Sequence, residues 1–541
     1  MSDTAALPLL DGSETDRLRA TLDEHFTVDV VNATLDWEGQ AALARGDFSG
    51  AARVLSDDPA SQLIRLFLLA DPVSTAALER AIGRANVDAL DRAGIVEVAS
   101  GSARARLELR PYAESDPGRA AADAGWWVLS DFGSDIRPGP LSGDHVLGIG
   151  AAALLLAQST MRRPVKRALD IGTGCGIQSL HLSRHSQQVT ATDISRRALR
   201  FAATSAALAG VTFDLREGSL LEPVAGEAFD LIVSNPPFVI SPGWNDASGG
   251  YTYRDGGLPG DELCRRLVRG LANLLSEGGT AQLLANWAIT TSEPASERLL
   301  SWLPGGVDAW IWQREVADPG EYVALWLRDG GEVPGTERWR RRYDAWRDWF
   351  AEAGILAIGM GLISLRRGGT TTGGTTSGTT SGTTTSSAAS GDIIVFEDVA
   401  QPVEQPIGGE IAAWFERADW LAARSDADLM QSCLRVSPDV TLRRDSGRAP
   451  ATGGSDMAGE PNGWRTSALT LVQNSGMRWQ LETDETIASV LAGCDGATPL
   501  SLPAVLLADT HGLSYPVVAE SLAPIVRDLI ARGLLLPGDA S

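Results

Sequence analysis

Between Arg167 and Phe238 the sequence alternates short apolar runs with helical stretches, and this alternation restricts the fold more than any other feature. RALDIG (Arg167–Gly172) is a short apolar run ending in Asp and Gly, and Ile177–His185 reads as helix. QVTATDIS (Gln188–Ser195) is a second run ending in an acid, followed by the helical stretch Arg196–Ala209. VTFDLREG (Val211–Gly218) and FDLIVSNPPF (Phe229–Phe238) read as two further strands. Such alternation predicts a parallel sheet with helices on both faces, an α/β fold. Ligands of an open sheet of this kind gather at the carboxyl ends of its strands.

The first run leads into Asp170-Ile-Gly172-Thr173-Gly174-Cys-Gly176. Alternate glycines let the backbone turn sharply after a strand and approach a ligand closely. The N–H groups that open the next helix favour a polar or anionic group. A purely structural turn could use the same residues, and dinucleotide enzymes also carry a Gly-rich turn. Here the spacing is GxGxG with an acid two residues ahead, not GxGxxG, which favours S-adenosylmethionine over NAD. Asp193 closes the second strand, where a carboxylate can accept from both ribose hydroxyls or cap the following helix. Ser219, in the Glu217-Gly218-Ser219 loop after the third strand, is the candidate adenine contact. The candidate cofactor set is thus Asp170, Gly172, Thr173, Gly174, Gly176, Asp193 and Ser219, with Asn235 added below.

The fourth strand ends in Ser234-Asn235-Pro236-Pro237-Phe238. Consecutive prolines fix the backbone and remove two donors while their carbonyls stay free to accept. The Asn235 side-chain oxygen is a second acceptor. Two fixed acceptors can hold both hydrogens of a planar NH2 group and aim its nitrogen at an electrophilic methyl. Phe238 offers a flat face to the substrate. Asn235, Pro236, Pro237 and Phe238 are therefore the candidate catalytic residues, and no metal is expected.

These motifs resemble the N-methyltransferases with an Asn-Pro-Pro-aromatic motif. That superfamily includes the HemK/PrmC protein-glutamine methyltransferases, the adenine amino methylases and the small-domain ribosomal RNA guanine methyltransferases of the RsmC type. The likeness covers about residues 125–400 and is best over 165–285. It implies a Rossmann-like class I fold of seven strands whose last pair is a hairpin. Ala357–Arg367 and Asp392–Val399 would be that pair, with an insert at its tip. Carried over, Asp170, Gly172, Gly174 and Asp193 look like cofactor contacts, and Asn235, Pro236 and Phe238 like the substrate clamp. Phe238 stands where HemK-type enzymes usually have Tyr. Tyr251–Asp261 (YTYRDGGLPGD) resembles their acidic Gly-rich loop, whereas Leu283–Trp287 (LLANW) is more similar to the RNA guanine group. By position Asp144–Gln158 resembles the lead-in helix over the cofactor pocket, which makes His145, and Asp131 before it, candidate lining residues.

A chain of 541 residues exceeds one hydrophobic core. We expect an N-terminal helical, winged-helix-like domain over 1–118, a methyltransferase domain over 119–400 and a C-terminal domain over 401–541. In the first, Asp11–Asp16 offers capping residues. Val73–Val98 then reads as two helices and a strand, with a turn at Ala99–Ser102 and a second strand over Ala103–Arg110. Leu502–Pro537 ends similarly, in a helix, Arg-Gly and an apolar strand. Gly368–Gly391, composed only of Gly, Thr, Ser and Ala, reads as a flexible insert between two strands, and Asp445–Gly463 as a linker. Cys175, Cys264, Cys433 and Cys494 are too dispersed for a metal site or a disulfide framework. No membrane span and no signal peptide are read, so the cytoplasm is the expected location.

With 46 basic and 69 acidic residues the net charge is −23, which disfavours a large basic face for nucleic acid but allows a local patch. The expected partner is a macromolecular substrate, a translation protein or ribosomal RNA. A release-factor-type protein glutamine ranks first, an RNA or DNA base amino group second. The rival from another class is a scaffold that holds S-adenosylmethionine without turnover.

Overall fold

The computed structural model describes residues 8–114, 125–244, 250–368, 378–380, 383–387, 392–448 and 464–538. Two compact units emerge, Met1–Val399 and Ala400–Ser541. The first is built on a sheet whose core strands are β1 (Val165–Ile171), β2 (Ser186–Asp193), β3 (Asp214–Glu217), β4 (Phe229–Ser234), β5 (Leu275–Thr290), β6 (Val307–Ala317), β7 (Ile355–Arg367) and β8 (Ile393–Asp398). Their spatial order is β3-β2-β1-β4-β5-β7-β6-β8. Only β7 among these eight runs antiparallel to its neighbours. Helices α1 (Ala151–Ser159), α2 (Ile177–Leu182) and α3 (Arg196–Ala209) belong to the first half. The α/β reading and its Rossmann-like class I arrangement hold, as a mixed sheet with helical segments on either side in sequence.

The expected hairpin of Ala357–Arg367 with Asp392–Val399 does not form. β7 inserts between β5 and β6, and β8 pairs in parallel with the far side of β6. A hairpin needs an antiparallel pair, but β7 and β8 are separated by β6. The chain between them goes to the sheet edge, where Gly378–Thr380 and Thr383–Ser387 add two short strands before β8. The rest of the expected flexible insert lies outside the described residues.

Between β6 and β7 stand two helices, α4 (Pro319–Asp329) and α5 (Glu337–Glu352). Asp318 caps α4 by accepting from Gly320 and Glu321, with Pro319 in the first turn, and Thr336 caps α5 by accepting from Trp339. Their apolar sides, including Tyr322, Val323, Trp346 and Phe350, bury against Val239, Ile240, Ile355 and Ile358.

The N-terminal segment shares a hydrophobic core with α2 and α3 through Ile177, Leu180, Phe201 and Leu208. Asp11 and Glu14 form a reciprocal capping box at its first helix, Gly12–His25. Thr75–Ile82 and Arg84–Arg92 are the two helices, and Val96–Ala99 and Ser102–Ala105 pair as a hairpin with Val73–Ser74 alongside. The strand read over Ala103–Arg110 is broken in two. Arg106 and Leu107 both donate to the Ile95 carbonyl, and Glu108–Tyr112 turns away to pair with Trp126–Ser130.

In the second unit Val440–Arg448 and Trp464–Gln473 form a long antiparallel pair. Asp445–Arg448, expected as linker, is therefore strand. Composition suggested a free chain there, whereas the pairing with Trp464–Ala468 decides its conformation. Residues 449–463 lie outside the described set. The terminal Leu535–Pro537 strand pairs with Cys433–Val436. Among the described residues no helix is long and apolar enough to cross a membrane.

Candidate active site

Strand register brings the sequence motifs together. Ile171 at the end of β1 lies opposite Ser234 at the end of β4 and Thr192 near the end of β2, and Asp193 lies opposite Glu217 on β3. The Gly-rich turn, Asp193, the Ser219 loop and Asn235 therefore follow four adjacent parallel strands at their carboxyl ends, where such a sheet places its ligands.

The turn is held from both sides. Gly172 and Thr173 donate to the Thr192 carbonyl, each at 2.9 Å. Gly172, Gly174 and Gly176 have φ of 73°, 55° and 87°, values at which a side chain is strained. Gly176 is also a packing position, since a Cβ there would lie 3.1 Å from Ala202 on α3. A Cβ on Gly172 or Gly174 would meet nothing within 4 Å, so their backbone faces open space.

Asp170 sits beneath the turn and is fully buried. Its Oδ2 accepts from Thr173 Oγ1 at 2.7 Å and from the Ser179 hydroxyl and N–H at 2.8 and 3.1 Å, while its Oδ1 has no partner. Burial pushes its carboxyl up to about 6, against those hydrogen bonds. Thr173 is likewise buried, so Asp170 and Thr173 shape the turn from within. Asp193 accepts from the Gly174 N–H at 2.9 Å and the Ser195 N–H at 2.8 Å. Burial raises its proton affinity too. Ser195, not Asp193, caps α3 by accepting from Ala198. Of the two carboxylates only Asp193, which is partly exposed, stands at the rim.

Ser219 is half-buried and its carbonyl starts a short turn by accepting from Glu222. Asn235 is half-buried, and its Oδ1 is enclosed without a hydrogen-bond partner. A buried amide oxygen left unpaired is costly unless a ligand supplies the donor. Pro236 is buried, and the Phe238 ring meets Trp326 of α4 edge-on at 5.9 Å.

Beyond the motif the chain is fastened to the helical insert. Ile240 N–H donates to Tyr322 Oη at 2.9 Å, Asn286 Nδ2 donates to the same oxygen at 2.8 Å, and Trp346 Nε1 donates to the Ile240 carbonyl at 3.0 Å. The loop from Tyr251 docks on α4: Tyr251 Oη donates to the Gly330 carbonyl and Tyr253 Oη to Asp329. Tyr322 and Trp326 carry no motif, and their only sequence signal is their i, i+4 spacing on a capped helix. Ile194 was equally silent. It follows Asp193 directly and is 59% exposed, an apolar side chain laid open beside the acid.

The two weaker candidates come from the segment ahead of α1. Asp131 forms a two-pronged ion pair with Arg197 and accepts from the Val146 N–H. His145 is buried beside Tyr253, with Nε2 unpartnered and Nδ1 3.7 Å from Asp131, too far for a hydrogen bond. Desolvation holds its imidazole below the ordinary range. Of the expected lead-in helix Asp144–Gln158 only the part from Ala151 is helical, as α1, and it packs on α2 through Gln178 Nε2 donating to the Ala153 carbonyl at 2.6 Å.

The sheet order, the Gly-rich turn and the Asn-Pro-Pro-Phe strand end define a class I S-adenosylmethionine-dependent methyltransferase domain. Its residues 142–247 match the methyltransferase small domain family, to which the HemK/PrmC-type resemblance also points. Residues 23–106 and 412–537 match two domains of unknown function, DUF7059 and DUF7782. The ribosomal RNA small subunit methyltransferase C of Klebsiella pneumoniae is 30% identical over 184 residues, covering 34% of this chain and 46% of that protein. The release factor glutamine methyltransferase of Deinococcus radiodurans is 48% identical over 89 residues, 16% of this chain and 32% of that protein. A solved ribosomal protein L11 methylase from Lactobacillus delbrueckii subsp. bulgaricus aligns at 28% identity and a TM-score of 0.20, covering 26% of this chain and 61% of that one. The chain thus spans less than half the length of the curated relatives it matches.

Proposed function

We propose that this chain transfers a methyl group from S-adenosylmethionine to the amino nitrogen of an RNA base. The observation that carries the transfer reading is the enclosed, unpartnered Asn235 Oδ1 at the strand end next to the glycine turn. The glycine turn leaves room for the cofactor backbone, Asp193 is the ribose acceptor, and Ser219 and the exposed Ile194 flank the base. When bound, the cofactor supplies a sulfonium-activated methyl carbon.

Asn235 Oδ1 and the Pro236 carbonyl accept the two hydrogens of the substrate NH2 group, which orients its lone pair. These hydrogen bonds strengthen as positive charge grows on the nitrogen. Pro236 and Pro237 keep the clamp rigid, and Phe238, backed by Trp326, offers a face to the planar substrate. Alignment of this kind accounts for most of the rate in a direct displacement.

For the substrate, the RNA reading has the better support, although the sequence by itself ranked a protein glutamine first. The likeness to the ribosomal RNA enzyme extends over 184 residues, that to the glutamine enzyme over 89. The test is a radiolabelled methyl-transfer assay on RNA and protein fractions with wild type and Asn235→Ala. Label should enter RNA, and Asn235→Ala should lower it at least ~100-fold with cofactor binding retained. Label confined to protein would overturn the RNA substrate, and near-normal turnover of the variant would overturn the clamp.

A further inference from the structure

The chain is strongly acidic, yet one part of its first unit concentrates arginine. A cavity of about 550 Å³ is lined by Arg106, Arg196, Arg197 and Arg200, with Asp131 as its one acid. A second, of about 380 Å³, shares Arg106, Asp131 and Arg197 with it, adds Arg137 and the acid Asp144, and reaches His145. The shared residues make the two a continuous groove between Arg106, which directly follows the Ser102–Ala105 strand, and the start of α3.

The acids near this groove are already engaged. Asp131 is taken by Arg197, Glu97 pairs with Arg106 at 2.7 Å, and Asp144 lies 3.8 Å from Arg197. Arg196 and Arg200 are exposed and have no ion-pair partner among the described residues, and the same holds for Arg104, which lines neither cavity but lies close enough to Arg137 for the two charges to repel. Arg137 is squeezed among like charges: burial first, then Arg106 and Arg104, lower its guanidinium's hold on its proton.

The position of Arg196 and Arg197 breaks a local rule. They open the first turn of α3, where the helix dipole already carries positive charge and no acid offsets it, and Arg200 follows one turn on. Arg197 is compensated by Asp131, but Arg196 and Arg200 gain nothing from the fold. Residues that break a local rule without structural return mark function. α3 also begins three residues after Asp193, so these guanidinium groups start at the rim of the candidate active site.

We infer that this groove binds the phosphate backbone of the RNA substrate and leads the strand toward the Asn235 clamp. The inference rests on the RNA reading above. Guanidinium groups match phosphate oxygens in fork geometry, and several in one groove follow a phosphodiester chain. The charge that the whole chain lacks for nucleic acid is thus supplied locally, by Arg106, Arg137 and α3 rather than by the helices of the winged-helix-like segment.

The test is fluorescence anisotropy of a labelled single-stranded RNA of ~12 nucleotides with the full chain. Wild type, Asn235→Ala and the triple variant Arg104→Gln, Arg196→Gln, Arg200→Gln are compared over a salt series. None of the three arginines holds an ion pair among the described residues, and equal melting curves check the fold. The triple variant should bind RNA about tenfold or more weakly, with a salt slope shallower by about 2, from ~0.7 for each phosphate no longer neutralised. Calorimetric S-adenosylmethionine binding should be unchanged. Asn235→Ala removes a base contact and no phosphate contact, so its salt slope should equal that of wild type, which separates the groove from the clamp. Unchanged RNA affinity in the triple variant overturns the groove while methyl transfer to RNA still stands. Equal competition by a polyglutamate peptide would assign the groove to acidic protein and overturn the inference.

Discussion

Ser234 Oγ donates a 2.9 Å hydrogen bond to the carbonyl oxygen of Ile171, joining the last residue of β4 to the last residue of β1. The clamp begins one residue after Ser234 and the glycine turn one residue after Ile171. A single buried hydroxyl therefore ties the start of the proposed clamp to the start of the glycine turn. Ser234→Ala should lower kcat about tenfold, because small misplacements of reacting groups are costly in rate. The KM for S-adenosylmethionine should change little. Steady-state kinetics separate the two, and an unchanged kcat would show that strand pairing alone fixes the spacing.

Asp193 has the opposite signature. Asp193→Ala removes the proposed ribose acceptor and the brace on the Gly174 N–H. Cofactor affinity measured by calorimetry should fall at least ~10-fold, the equivalent of one charge-assisted hydrogen bond. Affinity within twofold of wild type would remove Asp193 from the cofactor site.

Tyr322 joins the clamp strand to the inserted helices. Tyr322→Phe deletes the oxygen that accepts from both Ile240 and Asn286, leaving two buried donors unpaired. A loss of ~1–3 kcal/mol is expected for each such group. The first unit's urea midpoint should fall, together with substrate turnover. Retained stability would mean that the strand after Phe238 is held by packing alone.

Asp170 gives a pH test. Its folded-state carboxyl is raised to about 6 from 3.8, so the protonated form favours the fold. That contribution is complete below about 3.8 and is lost as pH rises through about 6, up to ~3 kcal/mol for a shift of this size. Asp170→Asn cannot titrate. The wild-type melting temperature relative to this variant should decline as pH rises from about 4 to about 7. Parallel melting curves would contradict the raised carboxyl.

The first half of the sheet was legible because β1, β2 and β4 are buried apolar runs whose ends carry glycine, acid or proline. Each signal is local, and the parallel register then aligns them. The second half was not. β6 is a Trp-rich strand without an end motif, and it sits between β8 and β7 although the helices α4 and α5 separate it from β7 in the chain. Pairing Ala357–Arg367 with Asp392–Val399 followed sequence proximity, which strand neighbours obey only in most cases. Tyr322 and Ile194 gain their roles from tertiary position. The arginine groove was hidden in the net charge because its cations come from Arg106, Arg137 and α3, far apart in sequence.

The placement of β7 between β5 and β6 orders events during synthesis. β5 and β6 leave the ribosome first, yet neither can pair with the other, because the slot between them belongs to Ile355–Arg367. Until that strand emerges, both expose an open edge to other chains, a known hazard for nascent sheets. The matched segment 142–247 is finished more than a hundred residues earlier. The nascent enzyme therefore carries its methyl-transfer motifs well before the sheet that aligns them can close.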